Sequence, residues 1–352
     1  MARTAAFLAG MVVCVAANAH HSAFVHFDRN EIVDVTGELV SINWRNPHTE
    51  MTVRVVDEAG NETLWLGQER GAVLLSRKGV TPDLFKIGDT IRIAGFRGRR
   101  NRESLFVTNI MLGDGREVFN ESFAEQRFDA ALAGTTMAEA QAEATRNRPV
   151  TSDGIFRVWS TPIVQFAGHE ANLDRALWNE SYPLTEYAEQ VLANWDPVED
   201  NPFIFCQNAM PAIMDQLHPM QFIDEGDRIR IRLEELDTVR IVHMSESVAP
   251  GESSPYGHSV GHWEDDTLVV TTTDIDFPWF DQEGIPQSDA LVIVERFTPS
   301  ADGYTLDYTA TATDPAVFTE PVVLDRTWTW VPGEEVQPFE CEWDGSSLQP
   351  SD

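Results

Sequence analysis

Met51-Thr52-Val53-Arg54-Val55-Val56-Asp57-Glu58-Ala59-Gly60-Asn61-Glu62-Thr63-Leu64-Trp65-Leu66 is the stretch on which the fold turns. Apolar and polar side chains alternate from Met51 to Val56, the period of a half-buried strand. Ala59-Gly60-Asn61 supplies a hairpin turn, and Thr63 to Leu66 is the return strand. Upstream, Ile32 through Val40, Ile42 and Trp44 reads as another strand. It breaks at Asn46-Pro47-His48, where proline removes a donor and fixes φ. Downstream, Arg70 to Arg77 reads as a short helix with Ala72, Val73, Leu74 and Leu75, ended by Gly79. Thr90 to Phe96 and Leu105 to Met111 are the last strands of this region. Three strands, one helix and two strands is the order of the OB-fold, a small, partly open Greek-key barrel, expected here over residues 20–118.

The chain has 352 residues and a formal net charge of −32. That length favours two domains of about 100–200 residues each. With 42% hydrophobic residues, 10 Trp and 19 Phe, it can bury a sizeable core, so a wholly disordered chain is excluded. No run of about 20 apolar residues follows the N-terminal one, so an integral membrane protein is not expected. Residues 20–118 hold 13 Lys and Arg against 14 Asp and Glu, whereas residues 119–352 hold 11 Arg, no Lys and 43 Asp and Glu. The second half is therefore a polyanion that should repel nucleic acid, because binding phosphate needs a basic footprint. It would attract cations or serve solubility. OB barrels often bind oligonucleotides, and Arg97, Arg99, Arg100 and Arg102 form a local basic turn. Beside an acidic partner domain, a solvated hairpin tip or a dock for that domain is the better reading.

Residues 1–19 read as a secretory signal: Arg3, an apolar segment from Ala5 to Ala16, and Ala17-Asn18-Ala19 as the cleavage site. Val13 before Cys14 argues against a lipoprotein. The expected location is the periplasm or the exterior. Two cysteines then remain, Cys206 and Cys341, and in an oxidising compartment they suggest one disulfide rather than two separate thiols. Cleavage after Ala19 makes His20 the first residue. Its α-amine and imidazole can chelate one metal, and a further histidine completes a nitrogen-rich set suited to Cu(II). His21, His26 and His48 are the candidates, His48 being stiffened by Pro47. The alternative is a frayed terminus whose histidines do nothing.

His20-His21-Ser22-Ala23-Phe24, Trp44-Arg45-Asn46-Pro47-His48 and Gly88-Asp89-Thr90-Ile91-Arg92-Ile93-Ala94-Gly95 resemble the marks of an uncharacterised family of secreted bacterial proteins. The resemblance covers nearly all of residues 20–116. It implies a small exported β-domain and no activity.

Phe123 to Thr145 is Ala-rich and free of proline, and predicts a helix within a linker over residues 119–150. Beyond it, strand signals dominate: Gly154 to Trp159, Arg228 to Leu233 pairing with Val239 to Met244, Leu268 to Thr273, Leu291 to Phe297, Tyr304 to Thr313 and Val323 to Trp330, with a helix at Leu184 to Trp195. Seven or eight short antiparallel strands imply a barrel over residues 151–342, or else a sandwich. Residues 343–352 read as a disordered tail. The overall class is mainly β. The start Gly154-x-x-x-x-Trp159 loosely resembles a lipocalin-type first strand. Gly257-His258-Ser259-Val260-Gly261-His262-Trp263-Glu264-Asp265-Asp266-Thr267-Leu268-Val269-Val270, with Val294-Glu295-Arg296-Phe297, resembles a C-terminal domain of many exported bacterial proteins of unknown function. That domain usually has Gly where Asp265 stands. This resemblance, too, implies no activity.

Within the second domain, His258, His262, Asp281 and Glu295 are the candidate catalytic side chains. A histidine pair with a carboxylate can bind metal or carry out general acid–base work. The alternative is a hydrogen-bonded structural set beside Trp263. An inward Glu295 would need a partner. Phe277, Trp279 and Phe280 could cover an apolar cavity or pack in the core. A phosphate loop, Cys-x-x-Cys and His-Glu-x-x-His are all missing from the sequence. Three functions stay open: a small-molecule or metal binding protein with Cu(II) at the new N-terminus, an enzyme acting on a small apolar ligand in the barrel, and a scaffold for another exported protein.

Overall fold

The computed structural model describes residues 26–119, 126–134, 145, 154–161, 182–196, 200–215, 218–245, 248–249 and 252–341. Its strands form two separate sheets. The first is built from β1 (Phe27–Asn43), β2 (Glu50–Val56), β3 (Glu62–Gln68), β4 (Thr90–Gly98), β5 (Ser104–Met111) and β6 (Glu117–Phe119), with α1 (Ala72–Arg77) between β3 and β4. The long β1 pairs with β4 through residues 27–38 and with β2 through residues 38–43. At Gly37, beside the hand-over, a Cβ would stand 2.3 Å from the Arg54 carbonyl oxygen. A parallel pairing of β3 with β5 closes the ring in the order β1-β2-β3-β5-β4, which is the OB arrangement. The lumen is apolar, filled by Val35, Leu39, Met51, Val53, Ile91, Ile93, Leu105, Val107 and Ile110.

The second sheet runs β15-β14-β13-β12-β11-β10-β9-β8-β7. Its strands are β7 (Val158–Trp159), β8 (Met220–Asp224), β9 (Arg228–Leu233), β10 (Thr238–His243), β11 (His258–Glu264), β12 (Thr267–Thr273), β13 (Val292–Pro299), β14 (Thr305–Thr313) and β15 (Val322–Thr329). Burial alternates along β13, β14 and β15, the signature of one face turned to a lumen. Just beyond β7, Ser160 exchanges two 2.8 Å backbone hydrogen bonds with Thr329 at the end of β15, which brings the sheet round to a nearly closed barrel. α2 (Glu186–Asn194) lies outside the sheet, its first turn capped by the Thr185 hydroxyl, which accepts from the Ala188 N–H.

Two expectations are corrected. The second sheet is not wholly antiparallel, because β10 and β11 run parallel. The connection between them crosses over instead of turning back as a hairpin. The helix expected over 123–145 fails across the described residues 126–134. There the Glu117 carboxylate accepts the Arg127 and Phe128 N–H groups at 2.8 and 3.1 Å, and Leu132 bridges Glu117. Tertiary hydrogen bonding overrides the helix propensity of an alanine-rich run. Thr145 is helical. The sequence reading also passes over β6 and β8. Residues 1–25 and 342–352 lie outside the described residues, and with them the expected leader and the expected tail.

The expected disulfide is present: Cys206 and Cys341 are bonded, with Cα atoms 6.0 Å apart. It anchors a strap, residues 331–341, that runs between the barrels. Asp237 accepts the N–H groups of Phe339 and Glu340 at 2.9 and 3.0 Å, and Glu234 accepts that of Gln337 at 2.9 Å. On the other side, Asn46 Nδ2 donates to the Phe339 carbonyl at 2.6 Å. Arg77 of α1 donates to both oxygens of the buried Glu234 at 2.6 and 2.5 Å, and to Glu334 at 2.8 Å. Arg100 of the basic turn faces Asp196 at 3.9 Å, so that turn reaches the acidic body.

Candidate functional site

Two regions carry polar chemistry. The first is the rim of the small barrel. His48 follows Pro47 in the connection from β1 to β2, and its Nδ1 lies 2.8 Å from the Glu69 carbonyl oxygen. A carbonyl only accepts, so Nδ1 carries the hydrogen, and in the neutral ring Nε2 holds the lone pair. Burial lowers the His48 pKa to about 4, with help from Arg70 and Arg45 and against the Glu69 hydrogen bond. His26, at the start of β1, is lowered to about 4 as well, first by burial, then by His48 and Arg100. Two neutral imidazoles are thus neighbours at neutral pH. Arg45 is neutralised by Glu50 at 2.6 Å. The other two expected metal ligands, His20 and His21, lie outside the described residues. Among the described residues, no three His, Cys, Asp or Glu side chains group to hold a metal.

Beside this rim, a cleft of about 700 Å³ opens between the barrels, walled by Trp44, Arg45, Asn46, Arg77, Glu334 and Phe339. Trp44 packs on Phe85 with ring centres 6.0 Å apart. Trp44, Asn46 and His48 of one motif therefore do three jobs. Trp44 packs, Asn46 clasps the strap, and His48 presents a lone pair.

The second region is the lumen of the large barrel. Glu295 points inward from β13 and finds the partner it requires in Arg240 of β10, at 3.0 and 2.6 Å. The hydroxyls of Tyr308 and Thr272 donate to the same carboxylate at 3.1 and 3.3 Å. Arg240 also lies 3.1 Å from the Met214 sulfur. Burial and the Glu295 charge raise the Tyr308 pKa well above its ordinary value. A second ion pair joins Arg326 of β15 to Asp215. Burial, with the Glu235 charge adding to it, pushes Asp215 up to about 7 against the pull of Arg326.

The four expected catalytic side chains occupy four surroundings. Glu295 is inside and ion-paired. His262 is exposed on β11, 3.3 Å from Glu264. His258, also on the outer face of β11, stacks on His243 of β10. Asp281 is buried in the connection from β12 to β13 and accepts the N–H groups of Glu283 and Ile285 at 2.9 and 3.2 Å. Burial and the Glu283 charge raise its pKa. Of the aromatic cluster, Phe280 is core, 4.9 Å from Phe318, Trp279 meets Trp195 edge-on, and Phe277 packs against the core.

Sequence reasoning missed Arg240, Asp215 and Arg326. Strand phase could have found the arginines. Arg240 shares its face with Thr238 and Val242, and Arg326 with Leu324 and Trp328, all buried. Among the described residues, no helix is long and apolar enough to cross a membrane. A comparison with curated proteins finds no match. Residues 9–106, which include His20, His48 and the first four strands of the small barrel, match the model of a family of unknown function, DUF6152.

Proposed function

We propose that this is an exported metal-binding protein. Cleavage after Ala19 exposes His20, whose α-amine and imidazole hold one Cu(II) together with the Nε2 lone pair of His48, while His21 and His26 stand by as further donors. The observation that carries this reading is the His48 hydrogen bond. Metal-ligating histidines commonly donate their second ring N–H to a carbonyl or carboxylate, which fixes the tautomer and aims the other nitrogen, and Glu69 does this for His48 at 2.8 Å. The six Cα–Cα steps from His20 to His26 reach at most about 20 Å, ample for the chain end to fold back to the rim. Neutral amine and imidazole donors suit Cu(II), the strongest binder of the divalent series.

The test is a Cu(II) titration of protein whose N-terminus is verified by mass. One tightly held ion per chain is expected, ahead of any weaker site. Acetylation of the α-amine should abolish this tight binding event, and His48→Gln should weaken it at least tenfold. Binding unchanged by both alterations sinks the reading.

A second reading rests on the lumen. In its described part it is filled by Trp159, Trp328, Tyr308, Phe222, Phe297 and the Arg240–Glu295 pair. A filled barrel suits an anionic body that contacts another exported protein better than an apolar ligand pocket. Co-purification from a periplasmic extract with and without the second module would separate the two.

A further inference from the structure

The structure assigns a second metal site, independent of the N-terminus, to His243 and His258 on the outside of the large barrel. These residues sit on β10 and β11, the parallel pair, where Val242 aligns with Ser259 and His243 with Val260. Val242 and Ser259 are buried in the lumen, so the histidines that flank them turn outward together. Their ring centres are 5.5 Å apart and their planes 29° from parallel. Two imidazoles that share one ion at about 2.0–2.1 Å per bond, at a near-tetrahedral angle, have centres about 5 Å apart. The terminal torsion of histidine is broad, so the rings can turn their nitrogens to one point without moving the backbone.

The backbone around the pair is fixed. Gly257, at φ +67°, leads into β11. A Cβ there would stand 2.4 Å from the Thr273 carbonyl oxygen, so only glycine lets this turn close against β12 and set the position of His258. His243 is held toward its neutral, lone-pair-bearing form. Partial burial, His258 and Arg228 together lower the His243 pKa, while Asp227 opposes them. Arg228 is itself tied to Glu225 at 2.6 Å. Imidazole donors select Zn(II), Ni(II) or Cu(II), with water completing the shell. The −32 net charge raises the local cation concentration.

The experiment uses the mature chain carrying His20→Gln and His21→Gln, which removes the terminal chelate. Ni(II) is titrated by calorimetry, and substoichiometric Cu(II) is followed through broadening of the histidine ring resonances. One Ni(II) per chain is expected, weakened at least tenfold by His243→Gln and by His258→Gln separately. Cu(II) should broaden His243 and His258 before His262, an exposed imidazole on the same strand that serves as the control. Broadening of His262 at the same ion level, or Ni(II) affinity unchanged by both substitutions, overturns the assignment. The broadening needs no variant, so it holds even if a substitution disturbs the fold.

Discussion

The two barrels treat polar groups in opposite ways. The small one keeps its lumen apolar and places its distinctive groups at the rim, where His48 and His26 are neutral and half-sheltered. The large one draws an arginine and a glutamate into its lumen and consumes them there. A buried polar residue is therefore not a functional residue by default. Glu295, with four donor atoms directed at its two oxygens, has no capacity left for a substrate. His48, half-sheltered and with one nitrogen committed, has.

The sharpest way to break this comparison is Glu295→Ala. Leaving Arg240 buried without its counter-charge should cost about 3–5 kcal/mol, measured by denaturant unfolding. The double substitution Arg240→Met with Glu295→Leu should cost less, about 1–3 kcal/mol, since the charge and its partner leave together and only the Tyr308 and Thr272 hydroxyls lose their acceptor. A large loss in the double variant would mean that the ion pair does more than satisfy itself.

Next in size is the junction. Glu234 is buried and joins Arg77, His218 and the strap. Glu234→Ala should cost about 1.5–3 kcal/mol and loosen the barrels from each other, seen as increased small-angle scattering dimensions. Its carboxyl is lowered to about 2 by hydrogen bonds from His218 and Arg77, against burial. The contribution is thus present above the ordinary value of 4.5 and is lost as pH falls toward 2.

The small barrel was legible in the sequence because each strand satisfies its own alternation, and the strand order alone leads to the OB arrangement. The inward phase of Glu295 was legible too, and with it the need for a partner. Which partner was not legible. Arg240 lies 55 residues away and meets Glu295 only across a closed lumen. The parallel β10–β11 contact was hidden for the same reason, because local alternation fixes faces and not neighbours. Likewise, the tautomer of His48 depends on a main-chain oxygen 21 residues on.

A smaller effect separates the buried acids from the histidines. In the folded chain Asp215 is raised to about 7 and Asp281 is raised in the same direction. The folded state keeps protons that the unfolded chain releases, so their stabilisation is present at acid pH and is lost as pH rises from about 4 through 7. His26 and His48, lowered to about 4, act oppositely, and only below 6.5. Thermal midpoints should therefore fall between pH 6.5 and 8, and Asp281→Asn should flatten that slope. A midpoint that rises over this window would contradict the burial of these acids in the large barrel.

The smallest effect tests whether the rim and the strap are one unit. Asn46 is buried, donates to the Phe339 carbonyl at 2.6 Å and stands two residues before His48. Asn46→Ala removes two hydrogen bonds, the one to Phe339 and a longer one accepted from the Val73 N–H at 3.3 Å, and should cost about 1–2 kcal/mol. The strap remains tied by its disulfide and by Asp237, so global unfolding will barely register the change. Hydrogen exchange should register it, through faster exchange at the Phe339 and Glu340 amides. If the His48 ring resonances shift along with them, the strap of the acidic barrel helps to set the imidazole on the neutral one. If only the strap amides respond, the rim is built by the small barrel alone, through Glu69.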